Sequence, residues 1–557
     1  MGAGPVTSPA AKEASPVEKR QSWKLRPPHD RMAQGLVVSG FDHLPFAEAL
    51  FLAFDWPENG PEGAPVGGRG SWLRKLKDVA PISDADEQET RSTALAFSWT
   101  GLQKMGLPPD ALATFSAPFR EGMYQEDRLR RLGDMIKGRW QETVIEQGAL
   151  WSANIPGRRK ERSHPDERPL SELRAPPEPE EHQAVTPITV HALLLLYEND
   201  ADRLTKWCQD VGQALKPDSV EVVHRLSLDL HLKNGIGREH FGFADGLSQP
   251  IPFGDTGREG ITDDSVILKD GSPFPRDPWH GVPLGEILFG HVDGHHEKAP
   301  GPYVPDDEAA RAAKLLTEGA PAGFRSLGLD GSYMVVRELR QYVARFWKSL
   351  EDAAAKIRAH DPGGGSRITA DWLAERVIGR NRDGHLLRPS GFLAADNNLP
   401  QNQFGFLRTD PHGLGCPMGS HVRRGNPRDG LAKDLASAQT LLDAANNHRI
   451  QRRGRKFGRR PPEDRLQEDN EVRGLLFMCL NTDITRQFEF VQQTWILNPN
   501  FAILYDEVDP LVGPKGQFTI PENPLRRIVE VETFIQLAGG DYFFLPSIPA
   551  INYLAAL

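Results

Sequence analysis

Apolar and polar positions alternate along this chain in two registers. Val190 to Tyr197 is an almost unbroken apolar run of strand length, and Leu226-Ser227-Leu228-Asp229-Leu230-His231-Leu232 alternates as a half-buried strand does. Between them, from Ala201 to Leu215, Leu204, Trp207, Val211 and Leu215 recur every three or four residues, which predicts a helix with one apolar face. The second half repeats this grammar. Gly331 to Arg337 and Gly474 to Leu480 read as strands; Val343, Phe346, Trp347 and Leu350 mark the helix after the first, and Ile484, Phe488, Val491 and Trp495 the helix after the second. Thr93 to Thr100 adds a strand followed by a short helical pattern. The reading is an α+β protein built from two ferredoxin-like units of antiparallel sheet with helices.

The expected division is a disordered tail over 1–35, a first unit over 36–253, a Gly/Pro/Asp-rich connection over 254–328 and a second unit over 329–557. The Pro-rich, densely charged stretch 156–181 cannot assemble a core and reads as an exposed insertion, as does 358–390 around Asp361-Pro362-Gly363-Gly364-Gly365. A length of 557 residues exceeds what one core holds. The net charge of −10 argues against nucleic acid as partner. No apolar run reaches membrane-spanning length, and the first 35 residues lack the apolar region of a signal peptide, so a cytoplasmic location without membrane contact is the default expectation. Three scattered cysteines suggest neither disulfides nor a CxxC metal site.

Chemistry concentrates in Cys416-Pro417-Met418-Gly419-Ser420-His421-Val422-Arg423-Arg424-Gly425-Asn426-Pro427-Arg428, where an imidazole heads three arginines. Imidazole binds metals and guanidinium forks bind carboxylates, a combination that suits haem; the same residues also read as an Arg-rich turn. In Gly242-Phe243-Ala244-Asp245-Gly246-Leu247-Ser248-Gln249-Pro250 a carboxylate lies between glycines that permit positive φ and a flat ligand's approach, or else forms an Asp-Gly turn. The run Arg449 to Gly458 is a basic face, part of which can turn inward around Ile450 and Phe457. Asp483 follows a strand and precedes a helix: it is an N-cap, the carboxylate that orients His421, or both. His295-His296, preceded by His291, lie among Gly, Asp and Lys without HExxH spacing, which lends a metal site there little support.

In their order, GFADGLSQP (242–250), CPMGSHVRRGNPR (416–428), HRIQRRG (448–454) and GLLFMCLNTD (474–483) resemble the dye-decolorizing peroxidases, and with FSWTGLQKMGLP (97–108) and the ending at 539–547 the resemblance spans most of the chain. The long spacing between motifs is similar to that of the longer bacterial and fungal subgroup. The resemblance implies a duplicated ferredoxin-like fold enclosing one haem b per chain between sheet and helices, with His421 as iron ligand and Asp483 as its carboxylate partner. It places Asp245 as the distal proton-transfer group and Arg452 as the distal arginine, with Leu475 and Phe477 on the distal wall. Gly246, Ser248, Arg423 and Arg428 are further haem contacts, the last two toward the propionates. The implied activity is reduction of hydrogen peroxide through an oxoferryl intermediate with oxidation of dyes, phenols or other aromatic donors, bulky ones through a surface Trp or Tyr such as Trp495, Tyr505 or Tyr542. A haem-handling protein that stores haem or releases its iron is the alternative, and the oligomeric state is left open.

Overall fold

A computed structural model describes residues 23–56, 68–86, 90–153, 187–233, 236–254, 260–277, 279–389, 402, 404–523 and 525–557. The expected insertion at 156–181 lies outside the described residues, as does most of the expected tail. The packed chain nonetheless starts earlier than residue 36. Trp23 and Leu25 are buried and Ala33 is fully enclosed, all three in the same apolar cluster as the sheet residues Phe51 and Leu193.

Nine strands carry the architecture: β1 (Phe46–Phe54), β2 (Arg91–Phe97), β3 (Ala192–Glu198), β4 (Val220–Asp229), β5 (Ser332–Gln341), β6 (Gln451–Arg452), β7 (Arg455–Phe457), β8 (Gly474–Asn481) and β9 (Ile535–Leu545). In the first half the spatial order is β4-β1-β3-β2. In the second it is β9-β5-β8-β7, with β6 also paired to β8. Taking β7 as the second strand of its half, both orders run fourth, first, third, second, and every pairing among these strands is antiparallel. The two sheets also join at both edges, through Phe97↔Phe544 and through Lys456↔Asp229 and Phe457↔Leu228. The α+β class is as expected.

This closure explains why the strands read as continuous apolar runs and not as alternations. Successive residues go to two different apolar layers. Phe51, Met334, Val336, Leu476, Met478 and Phe543 share the layer between the two sheets. Leu50, Leu52, Val335, Cys479 and Phe544 belong to the outer layer, which in the first half packs on α1 (Ser71–Val79) and α2 (Ala201–Leu215) through Trp72, Leu76, Leu204 and Val211. The helix expected after β5 is α3 (Val343–His360), and it packs on α4 (Ala370–Ile378) through Phe346, Leu350, Leu373 and Val377. The stretch 358–390 is therefore only partly a surface insertion: Asp361 to Gly364 form an exposed turn, but α4 belongs to a core.

Behind β8 the predicted helix exists with an altered winding. Residues Thr485–Glu489 and Val491–Ile496 are π-helical, with i→i+5 bonds from the Glu489 N–H to the Ile484 carbonyl and from the Leu497 N–H to the Gln492 carbonyl. Ile484, Phe488, Val491 and Trp495 are buried as their spacing requires. No helix among the described residues is long and apolar enough to cross a membrane.

Candidate active site

Strand pleating sets the floor of the site. Arg337, Leu339 and Gln341 of β5, Leu475 and Phe477 of β8, and Ile535 and Leu537 of β9 all line one cavity of ≈ 310 Å³. Alternate residues share a face, so this is the outer face of the second sheet. The space between the two sheets is filled by packed side chains and holds no part of the site. Phe488, Val491 and Ile496 of the π-helical segment form the opposite wall. π-Helical turns cluster at functional sites because the extra residue re-aims side chains.

Three other segments deliver polar groups. The loop 239–249 brings Asp245, with Gly242 at φ 99° and Gly246 at φ 74°, the left-handed conformations the glycines were expected to supply. Its base is braced by Glu239, whose carboxylate accepts the N–H groups of Phe241 at 2.7 Å and Phe243 at 2.8 Å and the Gln341 amide at 3.0 Å. Glu239 lines the cavity, and burial pushes its pKa up to about 7. The short helix α5 (His421–Gly425) presents His421, and the strand β6 presents Arg452, whose N–H is held by the Gln249 side chain at 3.1 Å.

His421 is enclosed by protein, yet 34% of its side chain is open to the cavity. Its Nδ1 lies 2.9 Å from Oδ2 of Asp509, which is fully buried and uses Oδ1 to accept the N–H groups of Leu511 and Val512. Burial alone would lower the imidazole pKa, but Asp509 outweighs it and the value is raised. Burial likewise favours the neutral carboxyl of Asp509, and His421 and Arg424 reverse this, holding it below the usual range. With Nδ1 engaged, Nε2 is the nitrogen available to a metal.

Asp509, not Asp483, is thus the carboxylate on His421. Asp483 accepts the Arg486 N–H at 2.9 Å, approaches its guanidinium at 3.7 Å and is 45% exposed, which is the capping role. Across the cavity, Arg452 Nη1 stands 3.5 Å from Asp245 Oδ1, both side chains partly open to the cavity, and Oδ1 also accepts the Gly246 N–H at 2.6 Å. Both charges act on His421, so the three expected chemical groups converge on one space.

The arginines divide differently from the expectation. Arg428 and Ser248 line the cavity, but Arg423 does not. Its guanidinium bonds the carbonyls of Asp410 and Cys416 and stacks over Phe406. Two residues beyond His421 on one helical turn, it points away from the imidazole's side. Its place is taken by Arg380 and Arg449, which sequence reasoning did not assign. Arg449 lay within the quoted basic run, three residues before Arg452. Both its terminal nitrogens are buried and have no hydrogen-bond partner among the described residues. Burial lowers the guanidinium pKa of Arg380 and Arg449 to about 10, helped by Arg452, and pushes that of Arg428 well down, helped by Arg449 and Arg380, while Asp277 and Asp429 offset part of the charge. A buried, unspent guanidinium beside a metal-binding nitrogen and an apolar floor fits a flat metal cofactor with its own carboxylates, which is the chemistry of haem.

No family model matches the chain. It is 30% identical over 388 residues to the multifunctional dye peroxidase DyP2 of Amycolatopsis sp., spanning 66% of this chain and 71% of that protein. The Anabaena sp. DyP-type peroxidase has a similar fold, with a TM-score of 0.63, 23% identity and 94% of each chain covered. A dye-decolorizing peroxidase solved in complex with 2,6-dimethoxyphenol matches at a TM-score of 0.61 and 22% identity over 96% of this chain and 100% of that one. The order of motifs, the site they build and the identity across most of the Amycolatopsis protein lead to one conclusion: the chain belongs to the dye-decolorizing peroxidase family and is a haem peroxidase.

Proposed function

We propose that the chain binds one haem b, takes hydrogen peroxide as oxidant and oxidises phenols, dyes and related aromatic donors. The observation that carries this reading is the placement of the Asp245–Arg452 pair and the Asp509-backed His421 on the same cavity. His421 Nε2 would hold the iron. Arg449 and Arg428, with Arg380 beside them, would hold the propionates; Gly246, Ser248, Leu475 and Phe477 would bound the remaining surface. When bound, haem supplies the redox chemistry, taking up the two oxidising equivalents of peroxide and returning them singly to electron donors.

The chain's own groups divide the remaining work. The Asp245 carboxylate takes the proton from one peroxide oxygen and returns it to the other as that oxygen departs as water. Arg452 stays protonated throughout and cannot serve as base; its charge stabilises the peroxide anion and the charge that develops as the bond breaks. Asp509 fixes the His421 tautomer and strengthens the imidazole as a donor. The 2,6-dimethoxyphenol complex of the similarly folded peroxidase supports phenols as reductants. For donors too large to enter, Tyr505 is 84% exposed and is the strongest surface-relay candidate of the three aromatics named from sequence, because Trp495 and Tyr542 are buried.

The architecture belongs to the same proposal. Each half, 36–253 and 329–557, is taken as one ferredoxin-like unit, with 254–328 as the connection; the shared fourth-first-third-second strand order supports it.

The decisive experiment records visible absorption of the haem-loaded protein before and after one equivalent of hydrogen peroxide, for wild type, His421→Ala and Asp245→Asn. Wild type should change spectrum within the mixing time, His421→Ala should lose the axial-histidine signature, and Asp245→Asn should keep it while reacting about 10²- to 10⁴-fold more slowly. Haem held through His421 but inert to peroxide would instead indicate haem storage or iron release.

A further inference from the structure

Far along the chain from the cavity motifs, three segments meet at one buried carboxylate. His29 opens a short helix, His291 follows the left-handed Gly290, and Asp330 sits at φ 58° two residues before β5. His29 Nδ1 lies 2.8 Å from Asp330 Oδ2 and 3.0 Å from Oδ1, and His291 Nε2 lies 2.7 Å from Oδ1. The Asp330 side chain is completely buried, while His29 and His291 keep 16% and 11% of theirs exposed, so the cluster has a closed floor and an open mouth. None of the three lines the peroxidase cavity.

A carboxylate this deeply buried needs compensating positive charge. Among the described residues its ion-pair partners are the two imidazoles alone. Asp30 and Glu318, both acidic, also act on His29 and add to the negative potential. One candidate ligand atom from each residue lies within 4.8 Å of the other two.

We propose that His29, His291 and Asp330 form a second metal site, which binds a divalent cation of the zinc class independently of haem. Tetrahedral bonds of about 2.0–2.2 Å from zinc to nitrogen and oxygen place neighbouring ligand atoms roughly 3.3–3.6 Å apart. The 2.7–3.0 Å separations between the imidazole nitrogens and the Asp330 oxygens therefore open by roughly half an ångström on metal binding. Two imidazoles and one carboxylate suit zinc and its first-row neighbours, whereas calcium and magnesium require oxygen-rich shells. Three protein ligands leave positions for water at the exposed mouth.

The ligands come from points far apart in sequence, so the cation staples the N-terminal segment to the loop at 291 and to the entry of β5. Its role is structural, and its binding free energy adds to the stability of the folded chain.

The test titrates chelator-treated, haem-loaded protein with Zn²⁺ by calorimetry, with metal analysis after dialysis and thermal unfolding with and without Zn²⁺. Wild type should bind one Zn²⁺ per chain and unfold at higher temperature in its presence; Mg²⁺ and Ca²⁺ should do neither. His29→Gln and His291→Gln, both at the partly exposed rim, should keep haem content and peroxide turnover but bind Zn²⁺ at least 10-fold more weakly, with the thermal shift gone. Absence of zinc binding by wild type, or binding of equal strength in the two variants, would overturn the proposal and leave a hydrogen-bonded His-Asp-His bridge.

Discussion

Two groups of buried arginines lie within a few residues of one another in sequence and do opposite things. Arg455 spends both terminal nitrogens on carbonyls, at 2.7 Å to Leu44 and Phe41 and 2.8 Å to Gly40. Arg424 does the same against Trp495, Asn498 and Glu507. These guanidiniums tie neighbouring segments to β7 and to α5 and do not line the site cavity. Arg449, equally buried, has neither terminal nitrogen spent among the described residues, and the second terminal nitrogen of Arg428 meets only the Ser248 hydroxyl at 3.5 Å. Burying an unspent cation is costly, so a protein that keeps one is built to receive an anion. Composition treats all four alike; hydrogen-bond accounting separates structure from function.

The largest effect should come from the spent group. Arg455→Ala leaves several buried carbonyls without donors, each costing about 1–3 kcal/mol, so a total of roughly 4 kcal/mol or more is expected in denaturant unfolding. Arg449→Met should behave oppositely. The fold should keep or gain stability, because the unspent charge is gone, while haem affinity drops by about 10- to 100-fold, the worth of one charge-assisted bond, as read from absorbance titration. A destabilised Arg449→Met with unchanged haem affinity would collapse the distinction. Asp509→Asn removes a buried charge that is already spent on His421. Expected is a loss of roughly 10-fold or more in haem affinity or turnover, with Asp483→Asn near wild type; equal losses would return Asp483 to the site.

Much of this was legible before any coordinates. Asp245, His421 and Arg452 each sit in a motif that by itself also reads as a turn or a basic face, and it is the ordered set of motifs resembling one family that singles them out, with Leu475 and Phe477 implied in the same way. The failures have specific causes. Asp483 follows a strand and precedes a helix, a position that fits a cap as well as the orienting carboxylate the resemblance implies, and in the fold it caps. Asp509 lies in Tyr505-Asp506-Glu507-Val508-Asp509-Pro510, where three acids within five residues offer no signal to choose between them. The resemblance implies Arg423 as a propionate contact, but residues two apart on a helix do not face the same way, and Arg423 turns from the side His421 occupies. The π winding of 485–496 left no trace either, since its apolar spacing also fits an α-helix.

The smallest effect probes whether the waiting arginines are already neutralised from within. Glu239 shares their cavity, and a guanidinium bonded to it would depress its pKa; burial instead raises it to about 7, with Asp245 adding to the rise and backbone N–H groups opposing it. The unfolded chain releases this proton near pH 4.5 and the folded chain holds it to about 7, so between those values the folded state binds the extra proton. The resulting stability is fully present below the unfolded value and is lost as pH rises through 7. Relative to Glu239→Gln, whose side chain does not titrate, wild type should therefore lose on the order of 1 kcal/mol between pH 6 and pH 8 in denaturant unfolding. A gain over the same interval would mean that Glu239 is ionised and paired with the arginines, and that the cavity's positive charge is spent before any cofactor arrives.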